Sequence, residues 1–438
     1  MSRLWSGPSL RLLQLFEAVV QERSFGGASR RIRISQSAVS QGVLRLEAML
    51  GAELFERGSK GSTPSELGRI LLVRTERLFK QIEGALVEPL VGPPFVESQR
   101  AAITARRITD SHIRALAAIA QSGSIERASH HLGISQPAIQ RSARDLENVL
   151  RRPLFNRTAR GLIASRSGAE LARRLQLSVR ELDYARDEIE AARGSSVARL
   201  SIGALPLSGT ALLAAAINDL TAEFPSARIV VLDAVYDLLL EHLRSGRIDI
   251  LVGVLRRPDW ADDVHEIPLF HDPYAIVVRP SHPLAGRKGV TIDDLARYEW
   301  LAPAEGAPRR RSIEALFAQS GRNVTISVET SSLGTQKALL AISDRITLLT
   351  RHEAEFEARK GLLALVEFEH LMPRRPDGLA TRKDWKPTAV QSRFIELMKA
   401  HADEIGRAAA IRLDAPRRKS EPAAKPNIPA REQSGTGA

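Results

Sequence analysis

The chain has 438 residues, 43% hydrophobic and 26% charged, which suits about three ordinary globular domains. It has no cysteine, which excludes disulfides, thiolate metal sites and cysteine nucleophiles. The net charge of +12 is uneven: residues 1–193 carry 30 Lys and Arg against 20 Asp and Glu, residues 194–405 carry 26 against 28, and residues 406–438 carry 7 against 3. A basic first half joined to a near-neutral body is the footprint of a nucleic-acid reader attached to something else. The start, Met1-Ser2-Arg3-Leu4-Trp5, lacks the layout of a secretion signal. No apolar run approaches the roughly 18 residues that span a bilayer, so a cytoplasmic location without a membrane partner is expected.

Residues 8–86 carry helical periodicity. Leu10, Leu13, Phe16, Val19 and Val20 fall on one face of a first helix. Ser24 suits the cap of a short second helix from Phe25 to about Ile32, in which Gly26 and Gly27 cost roughly 1 kcal/mol each. After a turn at Arg33-Ile34, Ser35 caps a third helix running to about Leu50, with Ala38, Val39, Val43, Leu46 and Leu50 as its apolar stripe. The outer face keeps Gln36, Ser37, Ser40, Gln41 and Arg45. Gln can bond an adenine edge, Arg a guanine edge, and Ser bases or phosphates, while the helix N-terminus favours a phosphate. Residues 55–63 then read as a glycine-containing wing whose cations, Arg57 and Lys60, suit the backbone beside the groove. From Ser65 a further helix with Leu67, Leu71, Leu78 and Ile82 runs to Pro89.

These residues form an ordered series: Ser35-Gln36-Ser37-Ala38-Val39-Ser40-Gln41, Leu46-Glu47, Leu54-Phe55-x-Arg57 and Thr63-Pro64-x-x-x-Gly68. The series resembles the N-terminal pattern of the LysR-type transcriptional regulators. A winged helix-turn-helix is the fold that the resemblance implies.

Residues 87–107, with Pro89, Pro93, Pro94, Arg100, Arg106 and Arg107, read as a linker. The first pattern then returns over residues 108–165, without a gap, at an offset of 100 residues. Ser135-Gln136-Pro137-Ala138-Ile139-Gln140-Arg141, Leu146-Glu147 and Leu154-Phe155-Asn156-Arg157 repeat the motif. Gly133 fills the turn where the first copy has Arg33, and glycine accepts the left-handed backbone that such turns need. The outer face here is Ser135, Gln136, Gln140, Arg141 and Arg144, with Arg157 and Arg160 in the wing. Members of the resembled family usually carry one such domain. Two readings follow: both copies hold DNA with different base preferences, or one has become a spacer or dimer contact.

Over residues 166–193 a long helix places Leu171, Leu175, Ser178, Leu182, Ala185 and Ile189 at alternating spacings of 4 and 3, a heptad seam. In the resembled family this linker helix makes the dimer, so a homodimer or homotetramer is expected.

Strands then alternate with helices over residues 194–405: strand 200–205, helix 209–223, strand 228–234, helix 236–245 and strand 248–253. This is the layout of a parallel α/β unit, whose ligands sit beyond the strand C-termini. The stretch Leu269 to Val278 followed by Ser281-His282-Pro283-Leu284 matches the crossover between lobes in the family's two-lobed, periplasmic-binding-protein-like effector domain. Residues 362–368 and 378–382 read as strands returning to the first lobe, and 388–405 as a closing helix. By the resemblance, Ser208, Thr210, Tyr236, Arg256, Ser331 and Ser332 line an inducer cleft. Hydroxyls with one arginine suit a small carboxylate, phosphate or sugar-like inducer. Each Ser equally suits a helix cap. Residues 406–438, rich in Ala, Pro, Lys and Arg, are expected to be disordered.

No HExxH pair, Gly-rich phosphate loop or GxSxG elbow points to an enzyme, a metal or a cofactor. His130, His131 and His282 read as surface or loop residues. The fold class is therefore multidomain: two mainly α winged helix-turn-helix domains, a long linker helix, and an α/β two-lobed effector domain. The expected function is a sequence-specific transcriptional regulator that binds double-stranded DNA and answers to a small-molecule effector, with RNA polymerase a candidate further partner. The alternative is an architectural DNA-binding protein without inducer response, its second repeat a spacer or dimer contact.

Overall fold

A computed structural model describes residues 7–56, 62–88, 92–158, 161–194, 198–205, 209–256, 261–318, 320–368 and 376–414, with 406–414 as backbone only. The first repeat folds as α1 (Leu10–Glu22), α2 (Phe25–Ile32), α3 (Gln36–Leu50) and α4 (Glu66–Val87). Ser9, Ser24, Ser35 and Ser65 cap them, each accepting the backbone N–H three residues on. A connection with α5 (Ser98–Ala105) leads to α6 (Asp110–Ser122), α7 (Ile125–Leu132), α8 (Gln136–Leu150), the hairpin β1 (Phe155–Thr158) and β2 (Gly161–Ala164), and α9 (Arg166–Ala192).

The motif residues shared by the copies have structural roles that are also shared. Glu47 and Glu147 each accept the N–H of the leucine seven residues on, Leu54 and Leu154, at 2.7 Å. Gly68 and Gly168 lie against those same leucines: a Cβ would stand 2.1 Å from the Leu54 carbonyl oxygen and 2.2 Å from that of Leu154. Only glycine lets the wing and the next helix close. Arg33 adopts φ 61°, matching Gly133 at φ 67°, so the turn is kept although its residue is not. In α3 the buried stripe is Val39, Val43 and Leu46, with Leu50 half-buried; Ala38, expected inside, is exposed because it sits in the first turn.

The stretch expected to be a linker is packed. Phe95, Ala101 and Ala105 are buried, and Phe95 and Ala105 belong to the core that also holds both repeats. The Arg106 guanidinium pairs with Glu17 and lies 3.8 Å from the centre of the Phe79 ring. The seam of α9 likewise faces its own chain. Leu171, Leu175, Leu182, Ala185 and Ile189 share one core with Leu71, Leu78, Ile82 and Ala85 of α4. A heptad seam needs a second apolar helix, and α4 supplies it from within the chain.

The body begins with β3 (Arg199–Ala204), α10 (Thr210–Glu223), β4 (Arg228–Asp233), α11 (Tyr236–Arg244), β5 (Ile250–Val254) and β6 (Val264–Phe270). It continues through β7 (Tyr274–Val278), α12 (Ile292–Leu295), β8 (Trp300–Ala302), α13 (Pro308–Ala318), β9 (Ile326–Glu329) and α14 (Leu333–Ala341). It closes with β10 (Thr347–Thr350), α15 (Arg351–Arg359), β11 (Ala364–Val366), β12 (Asp377–Arg382) and α16 (Ala389–Asp414). The first lobe is the sheet β4-β3-β5-β12-β6, parallel at β4-β3-β5 and antiparallel at β12. Leu200, Ile202, Ile250 and Val252 pack there on Leu212, Ala216 and Phe394 of the flanking helices. The second lobe joins β10-β7-β11 and β8-β9 through a bridge between Trp300 and Ile346.

Three expectations change here. Strand β11, expected in the first lobe, pairs with β7 in the second, because Leu365 and Val366 are in register with Val277 and Ile276. Helix α16 runs on to Asp414, into the stretch expected to be disordered; residues 415–438 lie outside the described residues. His282 is buried at 3% exposure, with its ring nitrogens engaged by the Asp344 carbonyl and the Leu284 N–H, whereas His130 and His131 are exposed as expected.

The body docks on the α4–α9 pair. The Tyr184 hydroxyl of α9 donates to Asp249 at 2.6 Å and accepts from Arg382 at 2.9 Å. Arg382 also donates to the carbonyls of Leu243 and Ile248, and Asp249 accepts the N–H of Ser201. Burial pushes the Tyr184 phenol up to about 12, so it stays a donor at neutral pH. From α4, Arg74 and Arg77 donate to the carbonyls of Lys386 and Asp384. Among the described residues, no helix is long and apolar enough to cross a membrane.

Candidate nucleic-acid interface and effector cleft

The polar faces of α3 and α8 are open and alike. Ser35, Gln36, Ser37, Gln41 and Arg45 are exposed and Ser40 half-buried; Ser135, Gln136, Arg141 and Arg144 are exposed and Gln140 half-buried. Each helix is held from behind by the same buried positions, Val39, Val43 and Leu46 in one and Ile139, Ala143 and Leu146 in the other. The polar faces are therefore presented rigidly rather than on loops. Wing residue Arg157 is exposed on β1, while Arg57, Lys60 and Arg160 lie outside the described residues.

The two faces differ in their cations. At the offset of 100, Arg45 corresponds to Asp145, and Arg144 to Leu44, which is 63% exposed. Asp145 is bonded to His112 of α6 at 2.8 Å. Beside it an open hollow of about 670 Å³ is lined by Thr109, Ser111, His112, Gln140, Arg141 and Arg144. The N-terminus of α6 borders this hollow, and such ends favour phosphate oxygens. Thr109 and Ser111 escaped the sequence reading, although a Thr-x-Ser pair ahead of a helix is a legible cap signal.

In the body, Tyr236 is buried at the start of α11, and the Arg256 guanidinium lies 4.3 Å from the centre of its ring. Burial holds Arg256 below the usual arginine range, and Arg311 adds to this, while Tyr236, Asp237 and Tyr274 oppose it. Tyr274 and Arg311 belong to the second lobe, so Arg256 sits where the lobes meet. Thr210, at the start of α10, is exposed and bonds Glu353 of α15, whose carboxyl is raised by burial and by nearby Glu357. Ser332 caps α14, its hydroxyl accepting from the Thr335 N–H at 3.2 Å, and Ser331 beside it is exposed. Tyr236 and Arg256 are thus brought together, Thr210 is tied across the lobes, and Ser332 fills the capping role. Ser208 lies outside the described residues. Arg311 and Glu353 were not anticipated; the run Arg309-Arg310-Arg311 was the available signal. Among the described residues no group of three or more acidic or His side chains could hold a metal ion.

Two family models match the chain. One, described as a bacterial regulatory helix-turn-helix protein of the lysR family, matches twice, over residues 10–69 and 111–169. The other, the LysR substrate binding domain, matches residues 193–403. The regulator GalR of Pseudomonas putida is 28% identical over 359 residues, covering 81% of this chain and 88% of its own. The regulator GbpR of Rhizobium radiobacter is 31% identical over 258 residues, covering 57% of this chain and 83% of its own. Among solved structures, a full-length OxyR variant from Pseudomonas aeruginosa aligns with a TM-score of 0.48 at 22% identity, over 67% of this chain and 93% of that one.

Proposed function

The chain belongs to the LysR family of bacterial transcriptional regulators, and on that premise we propose how its residues divide the work. Members bind DNA through the helix-turn-helix and respond to a small molecule in the C-terminal domain; they are regulators, not enzymes. In this chain both α3 and α8 read DNA. Gln36 and Gln41 meet base edges in one groove segment, and Gln136, Gln140 and Arg141 in another, with Ser35, Ser37, Ser40, Arg45, Ser135, Arg144 and Arg157 on sugars and phosphates. Arg57, Lys60 and Arg160 are assigned to the backbone on sequence alone.

The observation that carries this reading is the shared exposure of the two helices: equivalent positions are open in both, with cations on each. A spacer would have no need to keep Arg141 and Arg144 exposed beside a helix N-terminus. Fluorescence anisotropy with duplex DNA, comparing the wild type with Gln36→Ala/Gln41→Ala and Gln140→Ala/Arg141→Ala, tests it. Each double variant is expected to bind more weakly. Unchanged binding by the second would remove α8 from the interface.

The effector enters between the lobes, where Arg256, Arg311 and the Tyr236 ring suit an anion such as a small carboxylate or phosphate. Two guanidinium groups approach each other there, so an anionic ligand gains charge-assisted hydrogen bonds. Ser208 and Ser331 are additional candidate contacts. Closure of the lobes would be felt at α9 through the Tyr184–Asp249–Arg382 network. Only a ligand that binds one lobe arrangement more tightly shifts the balance. A thermal-shift screen of carboxylates, phosphates and sugars, repeated on Arg256→Ala, tests the site: stabilisation by an anion in the wild type alone is expected. Oligomers form through surfaces other than the α9 seam, and the regulator works in the cytoplasm.

A further inference from the structure

The two repeats are related to each other as the halves of a symmetric dimer. The Gln81 side chain donates to Glu181 at 2.8 Å, and the Leu10 N–H donates to Asp110 at 2.8 Å. In each case a residue touches its own counterpart, 100 positions away. In a self-complementary pairing, residues that meet their own counterparts lie on the rotation axis. Seven residues before Gln81 stands Arg74, and seven after Glu181 stands Glu188; these too are bonded, at 2.9 Å. The helices α4 and α9 therefore run antiparallel, and the rotation between the repeats is half a turn. Buried core positions agree: Leu71 with Leu171, Ile82 with Leu182, and Ala85 with Ala185.

The pairing is closed within the chain and is specific for unlike repeats. The connecting segment is bound to the first repeat, since the Arg106 carbonyl accepts from Gln14 and its guanidinium pairs with Glu17. Two second repeats from different chains would set Glu181 against Glu181 and Asp110 against Asp110 on the axis. Like charges on the axis, the Glu181 pair buried, oppose such a pairing. Two first repeats would keep a carboxylate for Arg74 at Glu88 but would lose the buried Arg74–Glu181 bond, having Gln81 at that place.

A half-turn keeps equivalent points level along the axis, so the open faces of α3 and α8 are presented together. Duplex DNA offers successive major-groove segments about ten base pairs apart, related by the same rotation. We propose that one chain, with no reading helix from a second chain, reads a two-part DNA site, α3 on one part and α8 on the other. Because Ser40, Gln41, Leu44 and Arg45 are replaced by Gln140, Arg141, Arg144 and Asp145, the two parts differ in sequence. The inference rests on the reading of α3 and α8 as DNA-contacting helices and adds the stoichiometry and the asymmetry of the site.

The test is selection of duplexes from a random-sequence library by the full-length protein. Native mass spectrometry on a selected duplex of about 25 base pairs, in excess, then gives the chain-to-DNA ratio. The expected result is two unlike sequence blocks centred about one helical turn apart, with one chain per duplex. Repeating the selection with Gln140→Ala/Arg141→Ala should lower discrimination about tenfold in one block and leave the other intact, and Gln36→Ala/Gln41→Ala should do the reverse. A palindromic site occupied by two chains, or both blocks indifferent to the α8 changes, would overturn the inference while leaving the regulator a DNA reader. Enrichment of no sequence would overturn both.

Discussion

Gln81 and Glu181 hold the same position in the two repeats and are bonded to each other at 2.8 Å. Around this contact, Glu181 also accepts from Arg74 at 2.8 Å and from Arg77 at 3.1 Å, and Arg74 has no exposed side-chain surface. Burial works against the Arg74 charge, but its bonds to Glu188 and Glu181 outweigh that and raise its pKa. A buried pair of this kind adds little over an apolar one, yet losing one partner is costly.

Glu181→Ala should therefore destabilise the protein by about 3–5 kcal/mol, since it removes one of the two carboxylates on Arg74 and breaks the axial bond. Urea denaturation of the wild type and the variant reads this directly. A loss below about 1 kcal/mol would mean that the α4–α9 pair is held by its apolar seam alone.

Arg33 stands in left-handed backbone, at φ 61°, where its counterpart is Gly133. A side chain there costs about 1 kcal/mol that glycine avoids. Arg33→Gly should raise the melting temperature by a few degrees, and Gly133→Ala should lower it. If Arg33→Gly were destabilising, the guanidinium would have a stabilising contact greater than the strain.

Gly168→Ala should be among the most damaging small substitutions, because the new methyl would stand 2.2 Å from the Leu154 carbonyl. The expected outcome is a loss of several kcal/mol together with displacement of the β1–β2 wing, followed by weaker DNA binding. An alanine variant with native melting behaviour would contradict this packing.

Asp187 of α9 is 7% exposed, and burial raises its pKa to about 7, with Asp183 adding to the shift and Arg199, Arg180 and Arg186 opposing it. The folded state then holds a proton that the unfolded chain releases near 3.8. Between those two values stability falls as pH rises, by up to about 1.4 kcal/mol per unit. Asp187→Asn should abolish that decline and be the more stable protein at pH 8. Equal slopes for both, by denaturation at pH 5 to 8, would contradict the assignment.

Much of this was legible in the residues themselves. The repeat at an offset of 100 carried the helices and outer faces of both helix-turn-helix units, because those features are local. The seam on α9 was legible too, but not its partner: periodicity says that a helix has an apolar mate and not which one. Leu71, Leu78 and Ile82 of α4 repeat the α9 spacing, and that echo was the available clue. Strand β11 was misplaced for the same reason, since a three-residue strand names no partner. In the cleft, the stacking of Arg256 on Tyr236 and the Thr210–Glu353 bond join residues distant in sequence, so chain order could not reveal them.

The account turns on whether the second repeat touches DNA, and the salt dependence of binding measures that most directly. Arg144 is exposed on α8 and Arg45 on α3. If both lie at the duplex, Arg45→Ala and Arg144→Ala should each reduce the slope of log affinity against log salt by about 0.9 wherever the lost contact is to a phosphate. A reduced slope for both variants is the predicted result. A slope and an affinity unchanged by Arg144→Ala, with Arg45→Ala reducing both, would contradict it.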